Sequence, residues 1–76
     1  MLVIPRDHVE SARALDEARH AELLSHMVAV ANQMAGDRGI REDGFRLTFN
    51  VGENGGQTVF HLHLHVLGGR ELGPEG

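Results

Sequence analysis

The feature that most constrains this chain is an alternation, Phe60-His61-Leu62-His63-Leu64-His65-Val66-Leu67. An extended strand sends successive side chains to opposite faces. The pattern therefore predicts a strand with Phe60, Leu62, Leu64 and Val66 on one face and His61, His63 and His65 on the other. The apolar face needs a second layer to cover it. The imidazole face carries three groups that titrate near neutrality in one row, which points to chemistry.

The chain offers one clear covering element. Asp16 is the expected helix N-cap, and Glu17 suits the positive helix end. Leu23, Met27, Val30 and Met34 then recur at helical spacing, and Leu24, Val28, Ala31 and Ala35 widen the stripe. Gly36 and Gly39 offer stops, which gives a helix of about 19 residues. Residues 2–4 read as a short strand closed by Pro5, and one helical turn is expected after Ser11. Phe45, Leu47, Phe49 and Val51 alternate with Arg46, Thr48 and Asn50, predicting a strand over 45–51.

A glycine-rich stretch, Gly52-Glu53-Asn54-Gly55-Gly56-Gln57, connects that strand to the histidine strand, expected over 58–67. The two strands are predicted to form an antiparallel hairpin. Matching their apolar faces requires opposed residues of opposite parity, for example Thr48 opposite His61 and Phe49 opposite Phe60. Arg46, Thr48 and Asn50 would then share the histidine face. The expected fold class is α+β: an antiparallel sheet of about three strands under one long helix, as a single domain over residues 1–76. The tail from Gly68 is expected to be extended or mobile.

Composition closes several classes. The 76-residue chain has no cysteine, hence no disulfides and no thiolate ligands. Its net charge is −4, and its seven basic residues, all arginine, are scattered singly. That pattern argues against nucleic-acid binding. No apolar run reaches the roughly 18 residues of a membrane span, and the N-terminus lacks a signal-peptide layout. The expectation is a soluble, cytoplasmic protein. A chain this short buries only about 60 % of its unfolded surface. It also opens inside an apolar strand, which suggests a truncated chain or a strand that pairs with a partner subunit.

The histidine row has three readings. Two of its members could join other ligands on a metal. All three on one ion is unfavourable, since His61 and His65 start roughly 13 Å apart on a straight strand and zinc holds nitrogens at about 2.1 Å. The row could be a polar face without chemistry. Or a neutral imidazole could attack phosphorus, once a hydrogen bond from its other nitrogen fixes the tautomer. His63, flanked on both sides, is the natural nucleophile. Gly55 and Gly56 allow close backbone approach to an anion, with Thr58 and Asn50 nearby as donors.

The run from His61 to Leu67 resembles the histidine triad (HIT) motif, His-φ-His-φ-His-φ-φ with φ apolar. Leu2-Val3-Ile4-Pro5-Arg6-Asp7-His8, Asn50-Val51-Gly52-Glu53-Asn54-Gly55-Gly56-Gln57-Thr58-Val59-Phe60 and Leu67-Gly68-Gly69-Arg70 resemble the Hint branch of that family, the purine nucleoside phosphoramidases. The resemblance implies hydrolysis of nucleoside 5′-phosphoramidates or related AMP conjugates. It makes His63 the nucleophile that forms a nucleotidyl-histidine. His61 would organise it, and His65 would lie close to the phosphate. Asn50, Gly56, Gln57 and Thr58 would contact phosphate and ribose, together with His63 and His65. Thr58 keeps the hydroxyl of the serine common in this branch and would assist the leaving group. No metal and no cofactor is implied, and the partners would be a purine nucleotide and a second copy of the chain. The family's further strands, which wall the base pocket, would precede Leu2, so the chain is expected to be the C-terminal portion of such a domain.

Overall fold

Asp16 starts the long helix as expected. Its Oδ1 accepts the amides of Ala18 at 2.8 Å and Arg19 at 3.3 Å. The Asp16 amide in turn donates to Nδ1 of His20 at 2.8 Å. This is the reciprocal logic of a capping box, with an imidazole in place of the carboxylate. Replacing Asp16 by Ala should lower stability by about 1 kcal/mol. A urea midpoint equal to that of the parent would show that the cap contributes nothing.

The structure, a computed structural model, describes residues 1–74; of the tail beyond Gly68, residues 75–76 lie outside the described part. The helix, α1 (Glu17–Asp37), has 21 residues. It ends in a Schellman arrangement: Gly39 takes φ +74°, and the Ile40 amide donates to the Ala35 carbonyl at 3.0 Å. The strands are β1 (Leu2–Val3), β2 (Phe45–Thr48) and β3 (Leu64–Gly68), and a 3-10 turn spans Ala12–Ala14. Both pairings are antiparallel and the order is β1-β3-β2, so the last strand in sequence is the central one.

Helix and sheet meet in one core. Met27, Ala31, Leu62, Leu64 and Val66 are buried together with Val3 and Val9, and Leu23, Val30 and Met34 pack around them. The histidines on the reverse face are half-buried.

The hairpin differs from expectation in length and register. β2 stops at Thr48 and β3 begins at Leu64. Thr48 faces His65, not His61, and Leu47 faces Val66. Two sets of local bonds account for this. The connection folds on itself, with Gly56 N donating to Glu53 O and Gln57 N to Gly52 O, each at 3.0 Å. The approach to β3 bonds instead to the segment after β1: Leu62 N donates to Val9 O, and Nε2 of His61 donates to Pro5 O at 3.1 Å. Phe60, expected in the core, consequently lies 53 % exposed.

Candidate active site

Each triad histidine is held by a different part of the fold. His65 sits in β3, between Leu2 on one side and Thr48 on the other. His63 and His61 lie in the extended run before it. Nδ1 of His63 is 2.7 Å from the main-chain carbonyl of His61. A carbonyl oxygen only accepts, so Nδ1 carries a proton, and in the neutral ring Nε2 is the nitrogen with the lone pair. The same reasoning puts the proton of His61 on Nε2, where Pro5 O accepts it. The rings of His63 and His65 meet edge to face at 5.0 Å between centroids.

A fourth histidine joins the row. The His8 ring meets that of His61 edge to face at 5.1 Å. The sequence placed His8 only within the run that resembles the Hint branch, with no role in the row. The residues are more than fifty positions apart, and no local pattern signals their meeting.

The glycine loop is built from its own polar groups. Nδ2 of Asn50 donates to Gly55 O at 2.8 Å. A Cβ on Gly56, which has φ +82°, would come 3.7 Å from that same nitrogen. Asn50 and Gly56 are therefore neighbours. Gly55 cannot carry a side chain without collision, since a Cβ there would lie 2.9 Å from Val51 N.

Gln57 is buried, and its amide joins three segments. Its Oε1 accepts Gly52 N at 2.9 Å, while Nε2 donates to Glu10 O at 2.8 Å and Val59 O at 3.0 Å. That side chain is engaged in holding the loop to the segment after β1. The Gly56 and Gln57 amides are likewise engaged within the loop. By contrast, the amides of Gly55 and Thr58 and the Thr58 hydroxyl make no hydrogen bond among the described residues. Those three are the loop's available donors for an oxyanion. Thr58 is exposed and has no bond to the histidines.

Among the described residues, no group of three or more His, Asp or Glu side chains is gathered as a metal site. No helix among them is long and apolar enough to cross a membrane. The arrangement is a row of imidazoles, two of them (His61 and His63) oriented by a bond to a main-chain carbonyl, and a glycine loop with unpaired donors.

Known proteins share this arrangement of sequence and fold. The chain is 43 % identical over 74 residues to the purine nucleoside phosphoramidase of Escherichia coli K12, covering 97 % of this chain and 61 % of that protein. It is 44 % identical over 73 residues to an uncharacterised HIT-like protein of Synechococcus elongatus, again covering 61 % of that protein. The structure of a HIT family hydrolase from Clostridium thermocellum matches with a TM-score of 0.90 at 44 % identity, covering 97 % of this chain and 64 % of that one. A histidine triad protein from Clostridium difficile matches with the same TM-score at 36 % identity, covering 99 % and 64 %. The chain thus spans less than two thirds of the length of these relatives. The family model described as HIT domain matches residues 1–72, and the chain belongs to the HIT domain family.

Proposed function

We propose that this chain is a nucleotide hydrolase of the histidine triad type. It would cleave nucleoside 5′-phosphoramidates or related AMP conjugates through a nucleotidyl-histidine on His63. The observation that carries this reading is the 2.7 Å bond from Nδ1 of His63 to the His61 carbonyl, which leaves Nε2 free. The name of the Escherichia coli relative supports the substrate class.

In the proposed step, Nε2 of His63 attacks the α-phosphorus in line with the leaving nitrogen. An N–P bond to His63 forms as the substrate's P–N bond breaks. The departing amine takes up one proton, relayed from water through the Thr58 hydroxyl. The His61 carbonyl stabilises the ring as it gains positive character. Donors of the loop, the Gly55 and Thr58 amides, stabilise charge on the phosphate oxygens, while Asn50, Gly56 and Gln57 hold the loop's shape. The hydroxide left by that proton relay then attacks phosphorus, the His63–P bond breaks, and AMP and a neutral imidazole are restored, with one water consumed overall. His65, against the His63 ring, limits its rotation.

The test is AMP release from an adenosine 5′-phosphoramidate, with the nucleotidyl-protein trapped by acid-free quenching and mass measurement. A mass increase of one nucleotidyl group on the His63 peptide is the expected result. AMP binding with neither release nor labelling would favour a second reading, a nucleotide-binding module without useful turnover. That reading rests on the chain matching only 61 % of its phosphoramidase relative.

The reading includes a second copy of the chain as partner. A two-residue edge strand and a thin core gain most from association. Sedimentation equilibrium should give twice the chain mass, and a single-chain mass at all concentrations would remove the dimer from the proposal.

A further inference from the structure

Arg13 has no role in the chemistry above. It lies in the 3-10 turn, which Ser11 caps by accepting the Arg13 amide at 3.2 Å. Its guanidinium lies against the glycine loop: a Cβ on Gly52 would overlap Nη2 of Arg13 and come 3.4 Å from its Cζ. Gly52 is itself bonded twice to Gln57, main chain to main chain and main chain to side chain. Gln57 sits between Gly56 and Thr58 in the chain. The guanidinium is thus on the flank of the same loop that offers donors at Gly55 and Thr58.

The guanidinium is exposed and makes no hydrogen bond or ion pair among the described residues. Glu10, three residues before Arg13, and Glu53, next to Gly52, are both exposed and do not pair with it. A free planar fork of donors matches a carboxylate or a phosphate with two parallel bonds. In a chain of net charge −4, an unpaired cation on the loop's flank favours one kind of ligand there.

We propose that Arg13 is a specificity-determining residue that favours substrates carrying a second oxyanion beyond the α-phosphate. The inference rests on the phosphate site proposed above. The second oxyanion would belong to the leaving group as a carboxylate, or to the nucleotide as a further phosphate.

The experiment compares the parent with Arg13→Ala and Arg13→Lys. Adenosine 5′-phosphoramidates of alanine and of alaninamide differ only in the leaving group's charge, and their kcat/KM values are measured side by side. ADP and AMP binding are measured in parallel, as the phosphate arm. Arg13→Ala is expected to lower the alanine-to-alaninamide ratio, or the ADP-to-AMP affinity ratio, by about fivefold. Arg13→Lys should keep part of the preference, since it retains charge without the fork. The arm that responds identifies the oxyanion. A general loss through distortion of the loop would lower both members of each pair and leave the ratios unchanged, and unchanged ratios overturn the inference. Failure of the parent to release AMP from either conjugate or to bind either nucleotide would instead overturn the phosphate site, and this inference with it.

Discussion

Replacing His63 by Ala is expected to lower AMP release from an adenosine 5′-phosphoramidate by about 10⁴-fold or more. Removal of a covalent nucleophile takes away the route and not merely one contact along it. The fold should survive, because His63 is half-buried on the reverse of the core and its side chain makes one local bond. Unfolding by urea should therefore shift by no more than about 0.5 kcal/mol. The comparison with His61→Ala sharpens the test. His61 holds the His63 ring through its main-chain carbonyl, which the substitution keeps, so the His63 tautomer should persist. Activity of His63→Ala within tenfold of the parent would remove His63 from the mechanism. A smaller loss in His61→Ala than in His63→Ala is the expected order.

The second large effect concerns stability. Leu64 is 1 % exposed in the central strand, opposite Val3 and within the cluster containing Met27 and Ala31. Truncating such a residue removes its transfer energy and leaves a cavity, for about 3–5 kcal/mol. A domain of this length has only about 4–11 kcal/mol in total. Leu64→Ala should accordingly lose about a quarter or more of the stability and lie much closer to unfolding at 37 °C than the parent. Leu67→Ala, on the same strand but 42 % exposed, should change it by less than about 0.5 kcal/mol. Equal effects at the two positions in urea titrations would contradict the packing described for β3.

The faces of the sheet were legible in the sequence, and the register was not. Leu62, Leu64 and Val66 are buried and the histidines lie on the other side, as alternation requires. The pairing, however, puts His65 opposite Thr48 where His61 was expected, an offset of four residues. An even offset returns every side chain to its own face, so burial patterning cannot choose between such registers. The choice depends on how far the glycine loop folds on itself. That is decided by hydrogen bonds such as Asn50 to Gly55 and Gln57 to Gly52, which have no periodic signature. Phe60 follows from the same cause, since it lies in the approach to β3 and not in the hairpin. The helix was legible at both ends because its signals are local: an Asp cap and a glycine that takes positive φ. Within the candidate site, alternation brought out the triad. The neighbours His8 and Arg13 are brought in by tertiary packing of the segment after β1, which no spacing encodes.

The strand order has a consequence for how the chain folds. β3 is central yet last in sequence, and β1 pairs with it from residue 2 to residue 65. Neither edge strand has a partner until β3 is present, so the sheet starts with the β2–β3 hairpin and cannot grow outward from its N-terminal strand. Closing a loop of about 60 residues must come before the β1 contacts reward it. During synthesis, α1, the turn before it and the glycine loop can make their bonds locally, whereas Leu2 and Val3 stay without their β3 partners until β3 is present. Folding should thus be a late, single event set by the arrival of β3. Shortening the chain from its C-terminus into β3 would remove the middle of the sheet instead of trimming its edge.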